Sequence, residues 1–274
     1  MKQSKLKKTV DGIVNDTSKS IDERLEEALA LSPRNLPDND DDVDEKDVFI
    51  YSSLVDMLQR EAYDHSHDLT LLQLYVLLAE AYDELNDYRP MEELANGVVR
   101  LMYDNMTPVE VYKETIPRFC SALGESVYNH ALYKVLFMYV RSVLRENPDD
   151  ESIKPLAKKL LKLNLLLEAD PWRTEEWDKE FVTAISRLFT KEELTQIMIN
   201  PKIGGLKKDP VEYTHKWEEI YYDLEDELND RFESVPRHRG LCFRIWSVKR
   251  EILEEKYGID WHSPSQMNPR VRFD

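Results

Sequence analysis

The stretch Leu74–Tyr88, LYVLLAEAYDELNDY, decides the fold that the sequence predicts. Apolar side chains recur in it every three or four positions, as they do on one face of an α-helix. These are Tyr75, Leu78, Ala79 and Tyr82. In a helix pair, a small residue lets the second helix approach closely, and large residues fill the gap between the two. The stretch therefore predicts a helix that packs against a neighbouring helix.

Signals for the start of a helix are frequent along the rest of the chain. Three capping boxes join a hydroxyl residue to a glutamate three positions later: Ser20 with Glu23, Thr107 with Glu110, and Thr190 with Glu193. An aspartate N-cap followed by proline occurs at Asp170-Pro171 and at Asp209-Pro210. No Asn-Gly or Asp-Gly turn lies between alternating, strand-like segments. The sequence therefore predicts an all-α fold.

The predicted helices cover residues 4–15, 20–31, 48–63, 69–86, 90–104, 108–123, 126–146, 151–168, 171–188, 191–199, 210–233 and 238–257. The last two have apolar stripes and a short connection, which favours an antiparallel pair, here a C-terminal helical hairpin. The stripes consist of Tyr213, Trp217, Ile220, Tyr221, Leu224, Leu228 and Phe232, and of Cys242, Ile245, Trp246, Ile252, Leu253 and Tyr257.

The positions of the predicted helices, prolines and charged runs divide the chain into four parts. Residues 1–47 are predicted to form an N-terminal helical arm and an acidic linker, because residues 32–47 contain two prolines and a run of charges. Residues 48–168 are predicted to form an array of antiparallel helix pairs, and residues 169–258 a C-terminal helical region. Residues 259–274 are predicted to be an extended tail, because two prolines prevent a continuous helix there.

The composition argues against several functional classes. The net charge of −17 opposes general binding to a phosphate backbone. The chain contains only 7 glycines, and neither GxGxxG nor GxxxxGK[ST] occurs, so the usual nucleotide-binding loops are absent from the sequence. Neither G-x-S-x-G nor H-E-x-x-H occurs, and no catalytic residue or cofactor is predicted.

The sequence also gives an expectation for the compartment. The 2 cysteines, Cys120 and Cys242, have apolar neighbours and are predicted to be free thiols. The N-terminus has no continuous apolar segment of the kind found in secretory signals. No apolar run approaches the ~20 residues that a membrane-spanning helix needs. A cytoplasmic protein with no membrane partner is therefore expected.

The opening stretch resembles the tetratricopeptide repeat. Its motif Tyr75-x2-Leu78-Ala79-x2-Tyr82 is similar to the first helix of that repeat, W-x2-L-G-x2-Y. Asn86–Tyr88, NDY, resembles the turn between the paired helices. Met91 and Ala95 depart from the pattern, because a small residue and then an aromatic one are expected at those positions.

A second unit with the same spacing follows. It reads Cys120-x2-Leu123-Gly124-x2-Val127, with Leu136, Val140 and Val143 at the later apolar positions and Pro148 at the closing proline. The units begin 45 residues apart, from Tyr75 to Cys120, whereas the repeat has 34 residues. The resemblance covers residues 69–150. It implies a right-handed superhelix like that of tetratricopeptide proteins, and an irregular helical bundle is the alternative.

The resemblance also implies a function. Proteins of this family usually bind peptides on the concave face of the array, so the chain is expected to be a noncatalytic protein-binding or scaffold protein. The positions that match this face are Gln73, Val76, Glu80, Asp83, Glu84, Arg118, Ser121, Glu125, Tyr128 and Asn129. The first five are largely acidic, which favours a basic partner segment. The alternative is that these residues are only the solvated faces of helices.

One competing hypothesis is a metal-dependent enzyme. The segment YDHSHD, residues 63–68, contains two imidazoles and two carboxylates of types that bind transition metals. These are Asp64, His65, His67 and Asp68. A metal centre usually needs a further ligand from elsewhere in the fold, and the segment does not supply one. The main prediction is therefore no metal.

A second competing hypothesis is nucleic-acid binding through residues 237–250, RHRGLCFRIWSVKR, which combine basic and aromatic side chains. Packing within the protein is the simpler explanation of these aromatic residues. The tail is apolar enough to dock on its own domain or on a second copy of the chain, which allows a homo-oligomer. Arg270 and Arg272 in the tail would suit the acidic surface formed by Glu80, Asp83 and Glu84.

Overall fold

The protein is described by a computed structural model that covers residues 3–35, 45–62, 65–104, 112–167, 177–203 and 205–273. These residues form α-helices and short 3₁₀ turns, and there is no strand among them. The predicted all-α fold is confirmed. The chain divides into two compact units, Met1–Ser126 (unit 1) and Val127–Asp274 (unit 2).

Unit 1 contains the helices α1 Gln3–Val14, α2 Ile21–Leu29, α3 Glu45–Glu61, α4 Asp68–Glu84, α5 Met91–Asp104 and α6 Thr115–Leu123. Unit 2 contains α7 Asn129–Glu146, α8 Lys154–Leu166, α9 Lys179–Arg187, α10 Lys191–Ile199, α11 His215–Phe232, α12 Leu241–Tyr257 and the short α13 Pro264–Met267. Short 3₁₀ turns cover Pro33–Asn35, Glu151–Ile153 and Pro210–Tyr213.

The helix starts follow the capping chemistry that the sequence predicts, with one correction. The side chains of Ser20 and Thr190 form complete capping boxes with Glu23 and Glu193. Asp209 caps a 3₁₀ turn rather than the long helix, because the Thr214 side chain accepts a hydrogen bond from the Trp217 amide and begins α11 at His215. The predicted caps at Thr107 and at Asp170-Pro171 lie outside the described residues.

Helix α4, which contains the opening stretch, is central to unit 1 and packs against α3, α5 and α6. Tyr75, Leu78 and Ala79 are buried, and Tyr82 is half-buried. Gly97 lies against the ring of Tyr75 so closely that a Cβ atom on Gly97 would be 2.6 Å from the Tyr75 Cζ atom. The Tyr75 hydroxyl also accepts a hydrogen bond from the Gln59 amide at 2.8 Å, which fixes the ring between α3 and α5.

Gly97→Ala and Gly12→Ala are therefore expected to shift stability in opposite directions. Overpacking against the buried Tyr75 costs about 1–3 kcal/mol. Alanine is more favourable than glycine inside a helix by about 1 kcal/mol, so the difference should make Gly97→Ala destabilising by roughly 1 kcal/mol. A Cβ atom on Gly12, in α1, would have nothing within 4 Å, so Gly12→Ala should be stabilising. Urea unfolding followed by far-UV circular dichroism measures both; equal stabilisation by the two changes would contradict the packing.

The N-terminal helices are part of unit 1, which corrects the prediction of a separate arm over residues 1–47. Helix α1 packs on α2 and α3, and Leu6, Val10 and Val14 are buried. The buried guanidinium of Arg24, in α2, donates to the Val14 carbonyl at the end of α1. It also pairs with Glu61 at the end of α3, so a single side chain joins three helices. Residues 36–44 of the predicted acidic linker lie outside the described residues.

Unit 2 begins inside the region that was predicted to be one helical array, residues 48–168. Helix α7 packs on α8 and α9, so its apolar side chains belong to the core of unit 2. Helices α11 and α12 form the predicted C-terminal hairpin. It is antiparallel, since Lys216 near the start of α11 donates to the Tyr257 carbonyl, and Arg244 near the start of α12 lies over the Phe232 ring.

The tail packs on unit 2 of its own chain. Ile259 and Trp261 are buried, and the Trp261 ring lies 6.4 Å from the Trp217 ring. The carboxylate of Asp209 accepts from both the backbone amide and the Nδ1 atom of His262, at 2.8 and 2.9 Å. Within the predicted extended tail, Ser263 caps the one-turn helix α13, with Pro264 in its first turn.

Candidate functional site

The carboxylates of the predicted acidic surface have partners inside unit 1. Glu80 accepts two hydrogen bonds from Arg118, at 2.8 and 2.7 Å, and Glu84 accepts one from Arg34 at 2.7 Å. Asp83 accepts from the Tyr88 hydroxyl at 2.9 Å. Burial raises the pKa of Tyr88 to about 12, and the hydrogen bond to the Asp83 carboxylate adds to this rise. Much of the negative charge on this surface is therefore compensated within the unit.

The other residues predicted for the same surface differ in burial. Gln73, Ser121 and Glu125 are exposed in unit 1. Val76 is only 1% exposed, because neighbouring helices cover that side of α4. Tyr128 and Asn129 belong to unit 2, where Tyr128 is buried, with its ring 5.7 Å from the Tyr222 ring.

The histidine cluster of the metal hypothesis is divided between different carboxylates. His65 Nδ1 lies 2.9 Å from Asp68, whereas His67 Nε2 lies 3.2 Å from Asp22 in α2 and His67 Nδ1 lies 2.7 Å from the Ser66 hydroxyl. Asp64 lies outside the described residues. Across the described part of the chain, no group of three or more His, Cys, Asp or Glu side chains is arranged to hold a metal ion.

In the basic helix α12, two of the predicted nucleic-acid contacts are used within unit 2. The Lys249 ammonium lies 5.2, 5.3 and 5.5 Å from the ring centroids of Trp217, Tyr221 and Trp261. It also bonds to Glu225 at 2.6 Å, so it is surrounded by three aromatic rings and one carboxylate. Arg250 bonds to the Gln266 amide oxygen of α13. These charges hold the hairpin and the tail together, as expected for internal packing.

A groove that sequence reasoning missed lies between α7 and α9 in unit 2. Its volume is about 910 Å³. Four cationic residues line it, Arg141, Arg145, Lys179 and Arg187, with two acidic ones, Asp178 and Glu180. The remaining lining residues are Leu144, Pro148, Phe181, Thr183 and Ala184, most of which are apolar. We call this feature the α7–α9 groove.

One side of the α7–α9 groove is held in place by a pair of charges. Arg141 bonds to Asp178, the N-cap of α9, and its guanidinium lies 5.7 Å from the Phe137 ring centroid. A hydrogen bond from the Phe181 amide lowers the pKa of Asp178, and Arg141 lowers it further, so the carboxylate remains charged. Arg145 and Arg187 are exposed, and their side chains line the groove as well.

The sequence contained a weak signal for this groove. Arg141 and Arg145 are four residues apart and so share one face of α7, and residues 180, 183, 184 and 187 share one face of α9. Because α9 was predicted to begin at residue 171 rather than at Lys179, its cap at Asp178 was not recognised. The pairing of α7 with α9 depends on tertiary packing that helical periodicity does not encode.

Unit 2 also contains a buried carboxylate beside histidine. Glu218 in α11 is 4% exposed. Its Oε1 atom accepts from the His130 backbone amide at the start of α7, at 3.0 Å, and lies 3.0 Å from His130 Nδ1. The ring of His215 lies 5.8 Å from the His130 ring. The positive end of the α7 dipole favours a negative charge at this position, so Glu218 joins the starts of two helices.

No helix among the described residues is long and apolar enough to cross a membrane. In comparisons with known proteins, no protein-family model, no curated protein and no solved structure matches this chain.

Proposed function

We propose that the chain is a noncatalytic protein-binding module, and that the α7–α9 groove of unit 2 takes a partner segment that combines acidic and apolar side chains. The observation that carries this proposal is the lining of the groove, which combines apolar side chains with three arginines and a lysine. A volume of about 910 Å³ is enough for several side chains of a bound segment. A wider scaffold role is part of the same proposal.

Charge complementarity argues for an acidic segment. Arginine presents a planar fork of donors that matches a carboxylate, and two of the groove arginines, Arg145 and Arg187, are exposed. The chain as a whole has a net charge of −17, whereas the groove lining has four cations and two carboxylates, a net charge of +2. Such a cluster attracts an acidic segment and repels basic ones, which gives selectivity as well as a faster association.

The acidic surface of α4 supports binding less well. Glu80, Asp83 and Glu84 would each have to leave an intramolecular partner before they met a basic ligand. The likeness of residues 69–150 to tetratricopeptide repeats remains a proposal. It is supported by the close approach of Gly97 in α5 to Tyr75 in α4, and a basic partner on that surface is the competing outcome of the test below.

A displayed library of random peptides, selected on the whole chain, tests the proposal. Wild-type protein is expected to enrich peptides that combine Asp or Glu with Leu, Ile or Phe. Selection on Arg145→Glu/Arg187→Glu should lose that enrichment, because two of the exposed cations of the groove become repulsive. Lys5→Glu/Lys8→Glu in α1 makes the same change in net charge on exposed lysines of unit 1, and it should leave the enrichment intact.

Two results would contradict the proposal. The first is enrichment of basic peptides that depends on Glu80, Asp83 and Glu84, which would return the partner site to α4. The second is enrichment of the same peptides by wild type and by Arg145→Glu/Arg187→Glu, which would remove the groove from binding. Circular dichroism of both double variants confirms folding first, and no severe loss is expected from exposed positions.

A further inference from the structure

Two segments of unit 2 contain lysines and no acidic residue. Residues 154–167, which span α8, contain four lysines, and residues 194–208, which include the end of α10 and the segment after it, contain three. In a chain with 54 acidic and 37 basic residues, two neighbouring segments of this kind are unusual. Together they give unit 2 a local positive charge, separate from the α7–α9 groove.

The structure brings these two segments together. Helix α8 packs on α10, and the Lys162 ammonium donates a hydrogen bond to the Lys202 carbonyl at 2.9 Å. Burial lowers the pKa of Lys162, and the nearby ammonium groups of Lys158 and Lys202 lower it further. Three lysines are thus close enough to repel one another, which is costly unless an anion is near. Lys154, by contrast, already pairs with Glu193 at 3.0 Å.

Large aliphatic side chains are exposed in the second of these segments. Met198 and Ile199, at the end of α10, are 70% and 71% exposed. Leu206, in the following segment, is 41% exposed. Scattered single apolar residues on a surface need no explanation, but two adjacent ones this exposed, in a segment that also contains lysines, are typical of a surface that meets an apolar phase.

We propose that this surface docks on an anionic lipid surface, with the lysines on the headgroups and the aliphatic side chains between them. We call it the lysine surface; it consists of Lys158, Lys162, Lys202, Lys207 and Lys208 with Met198, Ile199 and Leu206. This is peripheral contact. The expectation of no membrane partner depended on the lack of a long apolar run, which bears on spanning helices only.

The residue types favour lipid over nucleic acid. Residues 154–167 and 194–208 contain no aromatic residue and no arginine. Aromatic side chains stack on nucleic-acid bases, and arginine recognises phosphates and base edges. The two segments contain lysines and aliphatic residues instead. Lysine is a compact point charge suited to headgroup phosphates, and aliphatic side chains gain free energy by entering the boundary between headgroups and acyl chains.

Co-sedimentation of the full chain with lipid vesicles tests the proposal. Wild type should bind vesicles rich in phosphatidylserine and not vesicles of phosphatidylcholine alone. Lys158→Gln/Lys207→Gln/Lys208→Gln removes three exposed charges, each of which contributes about a fivefold factor near an anionic surface, so the partition coefficient should fall about a hundredfold. Met198→Ser/Ile199→Ser should lower it about tenfold, since two large aliphatic groups no longer enter the lipid.

Matched controls separate the lysine surface from other features of the chain. Lys5→Gln/Lys8→Gln in α1 removes exposed lysines from unit 1, and Tyr103→Ser removes a side chain that is 78% exposed in α5. Both variants should bind vesicles as wild type does. Arg145→Glu/Arg187→Glu should also retain vesicle binding, so this proposal and the α7–α9 groove fail or succeed independently.

The proposal is overturned if wild type does not bind phosphatidylserine vesicles, or binds neutral vesicles equally. It is also overturned if the lysine variant and the Met198→Ser/Ile199→Ser variant both bind phosphatidylserine vesicles as strongly as wild type does. Loss of binding in the lysine variant alone, together with competition by single-stranded polyuridine, would identify a general polyanion surface instead. All substituted positions are exposed, and circular dichroism confirms that each variant is folded.

Discussion

Replacing Trp217 with alanine is expected to lower the free energy of unfolding of unit 2 by about 3–5 kcal/mol. Trp217 is 2% exposed and lies within the buried cluster of α11, α12 and the tail. Its ring also faces Trp261 and the Lys249 ammonium, so the substitution leaves a cavity and removes one wall of the lysine's surroundings. The tail should become less protected at the same time.

The distribution of tryptophan makes this measurement selective. All 5 tryptophans of the chain lie in unit 2, so tryptophan fluorescence during urea unfolding follows that unit alone. Phe243→Ala is the matched control, because Phe243 is on the same hairpin and is 49% exposed, and its effect should be well below that of Trp217→Ala. A loss of less than about 1 kcal/mol in Trp217→Ala would contradict the packing of the hairpin and the tail.

The second large effect is expected at Glu218, where replacement by alanine should lower the free energy of unfolding of unit 2 by about 3 kcal/mol. The substitution leaves the His130 backbone amide without its carboxylate acceptor in a partly buried position. It also removes the negative charge at the start of α7, where the helix dipole favours one. Glu218→Gln keeps an acceptor oxygen and should lose less.

Glu219 supplies the control for that experiment. It is the next residue on α11 and its side chain is 64% exposed, so Glu219→Ala should change stability by less than about 0.5 kcal/mol. Equal effects of Glu218→Ala and Glu219→Ala would mean that the buried carboxylate does not join α7 to α11. The same tryptophan fluorescence assay measures the three variants.

Much of the helix pattern could be predicted from the sequence, because helix periodicity and capping are local. The capping boxes at Ser20 and Thr190 and the stripe through Trp217 indicated helices that the structure contains. Errors arose where two local signals competed. At Asp209-Pro210 the proline suggested the start of the long helix, but Thr214 caps it four residues beyond that proline.

The division into units could not be predicted in the same way. Arg24 joins α2 to the end of α1 and to Glu61, 37 residues away along the chain, and no periodicity reveals such a contact. Glu218 and His130 are 88 residues apart. Long-range pairs between charged or polar groups depend on which helices become neighbours, and this is decided by the packing of whole helix faces rather than by any short motif.

The candidate site illustrates the same limit. Glu80 and Glu84 looked available on α4 because the sequence does not show that Arg118 and Arg34 reach them. The α7–α9 groove was missed because its lining residues come from two segments, 141–148 and 178–187, that are separated by 29 residues. A surface formed by two helices becomes visible only when their pairing is known.

We propose above that the α7–α9 groove binds a partner segment that combines acidic and apolar side chains. Fluorescence anisotropy with one enriched, labelled peptide tests it most directly, on wild type, Arg145→Glu/Arg187→Glu and Glu80→Lys/Asp83→Lys/Glu84→Lys side by side. Reversing the groove charges is expected to weaken binding about tenfold, which corresponds to 1.4 kcal/mol, while the α4 variant binds as wild type does. Unchanged affinity in the groove variant, or loss of binding in the α4 variant alone, would contradict it.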